Sequence, residues 1–474
     1  MFIKKRFLSR LISALLSFVC LCELAIANQR TVIQNVNVLS MVLDAEPLLN
    51  TRVIIEGSRI VAVGASVNES KLSKSDKIID GTGKWLIPGL IDMHVHGLSN
   101  SSFGTQYPTA GANVLIDTQD VMTPYVASGV TTIFELSERI GLVAQRNEIE
   151  SAKVIGPRMA LTGFIDGGFQ YLGASLTANE ARQAVRLAKN RGYQFVKLYS
   201  SLSKKAFTAA IQEAKKQNVK VVGHIPMSFV GDTASAFLPH FGLIAHAEEL
   251  SKQTDDYSYE NALNYARMAK KSDTWLIPNM SNMIWIIKQA ESLDSIRGLS
   301  SLKYVHPLMQ SKWLESNNYV QRTKLIPHFQ KQLDFHKLLV RAFREEGVPM
   351  VAGTDAGTSG IVWGFSLHDE LKFLVDAGMT ELEALEAATR LPAQWLGVGD
   401  KLGTVETGKW ADLILVDANP LKDIKNTTKI SGVFFNGNWI DKSTIDSMLI
   451  DLAFRNTERL GKKEYDWKEV RKKF

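Results

Sequence analysis

The sequence predicts an α/β fold in two parts: an eight-unit (β/α) barrel and a small β-sandwich built from both ends of the chain. Three observations carry this. At 474 residues the chain exceeds what one hydrophobic core usually supports. Strand-like runs alternate with helical patterns through its centre. Short, β-branched runs separated by turns occupy both flanks.

The N-terminus comes first. Lys4, Lys5, Arg6 and Arg10 precede an apolar run from Leu11 to Ala27 that ends Ala25-Ile26-Ala27. A basic region, a short apolar core and an A-x-A end read as a secretory signal peptide over residues 1–27. The expected location is therefore the periplasm or the extracellular space. Glu23 and the shortness of the run argue against an uncleaved membrane anchor, and no other segment is apolar enough to span a bilayer. Cleavage removes four basic residues and Glu23, which lowers the formal charge of +6 by three. With no basic stripe interleaved with aromatics, nucleic acid is not an expected partner. The expected partner is a small-molecule substrate, and a homo-oligomer is compatible with the sequence. Both cysteines, Cys20 and Cys22, fall in the leader, so the mature chain has no thiol for a disulfide, a metal or nucleophilic attack.

Thr31–Val38, Arg52–Glu56 and Ile60–Val63 read as strands. The same texture returns at Asp412–Val416, Gly432–Phe435 and Trp439–Ile440, so residues 28–84 and 405–445 are expected to share the sandwich. Between them, residues 85–404 form the barrel. Its strands are expected near Trp85–His94, Thr131–Leu136, Arg158–Thr162, Phe195–Ser200, Val219–His224, Leu243–His246, Thr274–Pro278 and Pro349–Asp355. Helical spacing lies between them: Ala181, Ala184, Val185 and Ala188 follow the capping box Thr177-x-x-Glu180, and Phe207, Ala210, Ile211 and Ala214 follow Ser203. Eight such units make a TIM barrel, whose chemistry sits at the C-terminal ends of the strands. Residues 281–335 interrupt the rhythm with an aromatic-rich helical insertion, either a lid over the barrel mouth or an extra packed layer. Residues 446–474 form a charged C-terminal tail, read as a solvated helix from about Thr457.

The chemistry-bearing residues gather where strands stop. In a strand, residues two apart share a face, so His94 and His96 can aim two imidazoles at one point. Lys197 is an ionisable residue inside the apolar run Phe195-Val-Lys-Leu-Tyr-Ser200, where a lysine is rarely buried without a partner. His224, His246 and Asp355 close three further strands. Each alone has a structural explanation; together at one rim they suggest a metal site. His368 near a helix start suits capping or loop support, and His240, His306, His328 and His336 suit surface or packing roles. Thr380-x-x-Glu383 is a capping box. Gly353, ahead of Asp355, suits a close backbone approach.

The order of motifs resembles the amidohydrolase superfamily of metal-dependent hydrolases, and more narrowly its imidazolonepropionase and Xaa-Pro dipeptidase-like branch. The resemblance spans Ile79 to Gly97, Val196-Lys-Leu-Tyr199, Gly223-His-Ile-Pro226, Ile244-Ala-His-Ala247, Gly353-Thr-Asp355, Ser366 to Leu371 and Gly403 to Ile414. It implies two divalent cations. His94, His96 and Asp355 would hold one and His224 and His246 the other, with Lys197 carboxylated by CO2 so that its carbamate bridges both. Histidine and carboxylate donors without thiolate suit Zn2+, with Mn2+, Co2+ or Fe2+ as alternatives. A hydroxide between the metals would attack a C–N bond, with Asp355 as general base and then acid. Tyr199, two residues after Lys197, would face substrate. A dipeptide or N-acyl amino acid is the expected substrate class. A lactone or phosphoester, or a catalytically silent binding protein, are the other readings. The deaminase branch fits less well, because His224 is followed by Ile-Pro-Met rather than completing an H-x-x-E.

Overall fold

The computed structural model describes residues 30–64, 72–97, 100–102, 113–138, 140–168, 177–315 and 317–461. The expected leader, with Cys20 and Cys22, and residues 462–474 lie outside them. Among the described residues no helix is long and apolar enough to cross a membrane.

Five strands open the chain: β1 (Arg30–Val38), β2 (Leu48–Glu56), β3 (Arg59–Val63), β4 (Lys77–Asp80) and β5 (Trp85–Pro88). β6 (Leu90–Val95) begins the barrel, and β7 (Asn100–Ser102) with β8 (Asn113–Leu115) forms an antiparallel pair. The barrel continues through β9 (Val130–Glu135), β10 (Arg158–Ile165), β11 (Phe195–Leu198), β12 (Lys220–Gly223), β13 (Phe241–Ala245) and β14 (Trp275–Ile277). Then β15 (Leu413–Val416), β16 (Ile430–Phe435) and β17 (Asn438–Asp441) return to the first sheet. Its order is β17-β16-β15-β5-β1-β2-β3, with β4 also paired to β1. Both flanks thus share one sheet, over a core that includes Ile33, Val53, Leu86, Leu413 and Phe434.

The expected strand Trp85–His94 is in fact two. β5 pairs with β1 and β15 in the flanking sheet, while β6 pairs with β9 in the barrel. The chain changes sheets at Gly89, where a Cβ would come within 2.0 Å of the Thr131 hydroxyl, so only glycine fits.

Seven barrel strands run parallel in the order β14-β13-β12-β11-β10-β9-β6. The expected eighth strand, Pro349–Asp355, closes the ring as an irregular segment. Val351 N donates to Leu276 O at 3.0 Å on one side, and Met93 N donates to Ala352 O at 2.9 Å on the other. Its ladder is broken because Thr354 N donates instead to the Asp92 carboxylate at 3.0 Å, and Asp355 turns to a positive φ of 65°. The N-terminal end of the barrel is plugged by the helix Arg390–Leu396. Trp395 stacks on Phe195 at 5.6 Å and donates from Nε1 to Gly242 O. This leaves the opposite rim open for chemistry.

The helical readings at Thr177, Ser203 and Thr380 hold, each side chain accepting from the expected backbone N–H. The C-terminal region differs. The helix Lys442–Gly461 is not a free solvated tail but a clasp on the barrel. Ile445 and Leu452 are buried, and Arg455 and Arg459 each reach the Asp120 carboxylate at 2.6 Å. The heptad-like apolar positions that dock it are diluted among charges, which is why composition alone suggests solvent.

Candidate metal centre

All six predicted ligands meet at the open rim. His94 lies next to last in β6 and His96 follows it, Lys197 lies within β11, and His224 and His246 follow β12 and β13. Asp355 comes from the closing segment. The rings form a continuous series: His96 to His94 at 5.3 Å, His94 to His246 at 4.5 Å, and His246 to His224 at 5.1 Å between centroids. Asp355 Oδ1 lies 2.8 Å from His96 Nε2 and 3.4 Å from His94 Nε2. Lys197 Nζ lies 3.3 Å from His94 Nε2.

Local backbone geometry explains how so many polar groups converge. His246 and Asp355 both hold positive φ, 81° and 65°. A non-glycine residue there costs on the order of 1–3 kcal/mol and persists only when its surroundings impose it. Before His224, Gly223 has a φ of 150°, and a Cβ there would meet Leu198 O at 2.0 Å. Gly353 passes so close to His94 that a Cβ would sit 3.0 Å from its backbone, as the sequence suggested.

Burial sets the protonation states. It pushes His94 and His224 well below the usual imidazole range and His246 down to about 3, in each case with Lys197 adding to the fall. Neutral imidazoles are the metal-donating form. Burial also lowers the Lys197 ammonium to about 8, against the pull of Asp355, Glu135 and Glu249. For Asp355, burial works upward, but the hydrogen bond and charge of His96, with the charges of His246 and Lys197, together outweigh it and hold the carboxyl below its ordinary value.

The donor set fits a divalent cation. Ligand atoms of His94, His96 and Asp355 all lie within 4.8 Å of one another. His224 Nε2 and His246 Nδ1 are buried without a hydrogen-bond partner among the described residues. Buried polar atoms left open in this way are costly unless something absent from the chain itself satisfies them.

Sequence reasoning missed the groups that hold these ligands. Asp92, fully buried, accepts from His94 N at 3.2 Å and from Thr354 N and Oγ1 at 3.0 and 2.7 Å. Glu135, at the end of β9, accepts from Gly97 N and lies 3.8 Å from His96 Nδ1. Its signal was available: a carboxylate in an apolar strand is as anomalous as Lys197. Glu249 lies 3.1 Å from His224 Nδ1 and 2.9 Å from Lys252. The H-x-x-E pattern missing at His224 thus occurs one strand later, as His246-Ala-Glu-Glu249, and reaches back to His224. Asn282 donates from Nδ2 to Asp355 Oδ2.

Above the ligands lies a cavity of about 400 Å³. The insertion supplies much of its wall. Asn282, Trp285, Ile286 and Gln289 stand at i, i+3, i+4 and i+7 of the helix Met280–Glu291, and Tyr319 joins them. The region is therefore a cavity wall, and buried Trp313 shows that it is also a packed layer. Tyr199 lines the opposite side, its ring 4.1 Å from that of His224. Burial, with Asp355 beside it, raises its hydroxyl to about 12, so it stays a donor. His368 lies away from the cavity, between Thr427 Oγ1 at 2.9 Å and Ser128 O at 3.0 Å, in loop support. His240 contacts Val219 O and His336 contacts Ser251 Oγ.

Comparison with known proteins agrees with this geometry. The family model described as the amidohydrolase family matches residues 85–440. The chain is similar to imidazolonepropionase of Thermoplasma volcanium, 23% identical over 434 residues, covering 82% of this chain and 90% of that one. It is also similar to ochratoxinase of Aspergillus niger, 22% identical over 436 residues, with 81% and 80% covered. A solved Xaa-Pro dipeptidase with bound methionine in its active site superposes with a TM-score of 0.67 at 20% identity, covering 87% of this chain and all of that one. With the family match spanning three quarters of the chain and the rim residues assembled as described, the protein belongs to the amidohydrolase family and is a hydrolase of carbon–nitrogen bonds.

Proposed function

We propose that the protein is an exported binuclear amidohydrolase that cleaves the amide bond of a small substrate, a dipeptide or an N-acyl amino acid. The observation that carries this is Lys197, 2% exposed at the centre of the rim and 3.3 Å from a histidine nitrogen. A buried ammonium among metal donors has no stable role, whereas a carbamate does. His94, His96 and Asp355 would hold one cation and His224 and His246 the other, with the carboxylated Lys197 between them. The fall of Lys197 to about 8 brings the neutral amine within reach near neutral pH. That amine attacks CO2, a N–C bond forms and the displaced proton leaves to solvent. The donor set, free of thiolate, suits Zn2+, then Mn2+, Co2+ or Fe2+.

When bound, the cations supply Lewis-acid activation of a water and of the scissile carbonyl. The remaining work falls to the chain. Asp355, kept ionised by His96, accepts the proton of the attacking water and returns it to the leaving amine. The Tyr199 hydroxyl donates to a substrate α-carboxylate. Phe164, Trp285 and Tyr319 offer apolar surface to the side chain of the substrate. Export rests on the leader, and predicts a mature N-terminus at or near Asn28.

Elemental analysis of protein purified without chelators, with a panel of dipeptides and N-acyl amino acids, tests this. About two metal equivalents and release of a free amine are expected, with Asp355→Asn lowering kcat by about 10²–10⁴. One equivalent at full activity sinks the binuclear reading. A preference for lactones or phosphoesters sinks the amide assignment. Residues 1–27 found on exported protein by mass spectrometry would overturn leader cleavage.

A further inference from the structure

We infer that Asn279 is a positioning residue that fixes the tautomer of His94 and so presents its Nε2 lone pair to the metal. The inference rests on the metal-binding reading above. Asn279 follows β14, is 2% exposed, and contacts two groups from different strands. Its Nδ2 donates to Gly353 O at 2.7 Å, and its Oδ1 lies 3.2 Å from His94 Nδ1.

The donor and acceptor roles leave one arrangement. A backbone carbonyl can only accept, so the NH2 of the Asn279 amide must face Gly353. Its oxygen then faces His94, and an amide oxygen can only accept. His94 Nδ1 must therefore carry the proton, which leaves Nε2 as the lone-pair nitrogen. That nitrogen is the one 3.4 Å from Asp355 Oδ1 and 3.3 Å from Lys197 Nζ. The amide flipped by half a turn would set oxygen against oxygen at Gly353 and donor against imidazole.

Neighbouring contacts hold the amide where it can do this. Asn279 sits at a φ of +48°, a conformation asparagine accepts more readily than most residues. Directly after it, Met280 N and Ser281 N are held by the Glu370 carboxylate at 2.9 and 2.7 Å. On the other partner, His94 N is held by Asp92, which also fixes Thr354 next to Gly353. The end of β14, the closing segment 349–355 and the end of β6 are thereby tied around a single imidazole. A hydrogen bond of this kind to the second ring nitrogen orients a metal-binding histidine and raises its basicity.

The test is zinc affinity by chelator competition, on wild type, Asn279→Gly, Asn279→Asp and His94→Ala. Glycine accepts the positive φ, so Asn279→Gly removes the acceptor without straining the backbone. It should weaken zinc binding 10- to 100-fold, the usual cost of losing such a partner. Asn279→Asp keeps an acceptor for Nδ1–H but turns its second oxygen toward Gly353 O, so it should restore part of that loss. Thermal unfolding of the metal-free proteins separates loss of the acceptor from a general loosening. Wild-type zinc affinity in Asn279→Gly overturns the inference, as does an equal loss in the glycine and aspartate variants. Equal zinc binding in wild type and His94→Ala would instead overturn the metal-binding reading on which it depends.

Discussion

Replacing Glu370 by leucine tests how the wall of the cavity is held. Glu370 is fully buried, and its two oxygens accept from Met280 N at 2.9 Å, Ser281 N at 2.7 Å and Ser281 Oγ at 2.6 Å. Those backbone groups open the helix Met280–Glu291, which has no side-chain cap of its own. The carboxylate therefore satisfies two orphan donors and faces the positive end of the helix dipole. Leucine fills the space but leaves both backbone donors buried and unpaired, at about 1–3 kcal/mol each. Loss of the dipole contact adds about 0.3–1 kcal/mol. A destabilisation of roughly 2–7 kcal/mol follows from these contributions. The consequence should reach the site, because the same helix carries Asn282, Trp285, Ile286 and Gln289 into the cavity. Denaturant unfolding, together with KM and metal content, measures both links. KM should rise, and metal should still bind to His94, His96 and Asp355 but more weakly, since the loosened segment carries Asn279 and Asn282, which contact His94 and Asp355. A leucine variant within about 1 kcal/mol of wild type, with KM unchanged, would refute the reasoning.

Lys197→Ala should lose most of its metal and nearly all turnover, measured by elemental analysis and amine release; wild-type activity in that variant ends the carbamate proposal. Tyr199→Phe should cost about 10- to 200-fold in kcat/KM on free-acid substrates, the worth of one hydrogen bond to a charged group, with little loss on C-amidated analogues. Equal loss on both would move Tyr199 away from the carboxylate. Burial holds His368 down to about 4, below its unfolded value of 6.5. A depressed pKa contributes stability that is complete above 6.5 and is lost as pH falls toward 4. Unfolding free energy of the metal-free protein should therefore drop between those values, with His368 contributing up to about 1.4 kcal/mol per pH unit. His368→Gln should flatten the slope by about that amount; an unchanged slope would show that His368 is not the group that titrates.

How much of this was legible in the sequence follows from where each signal lies along the chain. Barrel strands and ligands were readable because their signals are local: an apolar run that stops at a histidine, or a lysine inside such a run. The ligand-holding groups act across strands, and linear sequence does not order strand ends in space. Asp92 matters because Thr354 lies beside it, and Glu249 because β13 lies next to β12. Neither neighbour is near in sequence. The break at Gly89 was hidden for a related reason. Trp85 to Ile91 is apolar throughout, and only the close approach of Thr131 shows that it serves two sheets.

Glu135 is the instructive exception. It stands in the apolar strand Val-Thr-Thr-Ile-Phe-Glu as Lys197 stands in Phe-Val-Lys-Leu, and the argument that singled out one applied equally to the other. An ionisable residue at the C-terminal end of a barrel strand requires a partner, and the rim is where partners gather. Glu135 accepts from Gly97 N and stands 3.8 Å from His96 Nδ1, so it holds the backbone just after His96 and faces its ring with a carboxylate. Asn279 faces the ring of His94 as Glu135 faces that of His96, at 3.2 Å rather than 3.8 Å and with a neutral amide in place of a carboxylate. Two adjacent histidines thus have different outer partners, one charged and one not. Because a charged partner makes an imidazole the stronger donor, His96 should bind its cation more tightly than His94, and His96→Ala should release metal at a lower chelator concentration than His94→Ala. The reverse order would show that the 3.8 Å separation of Glu135 from His96 is too long to matter.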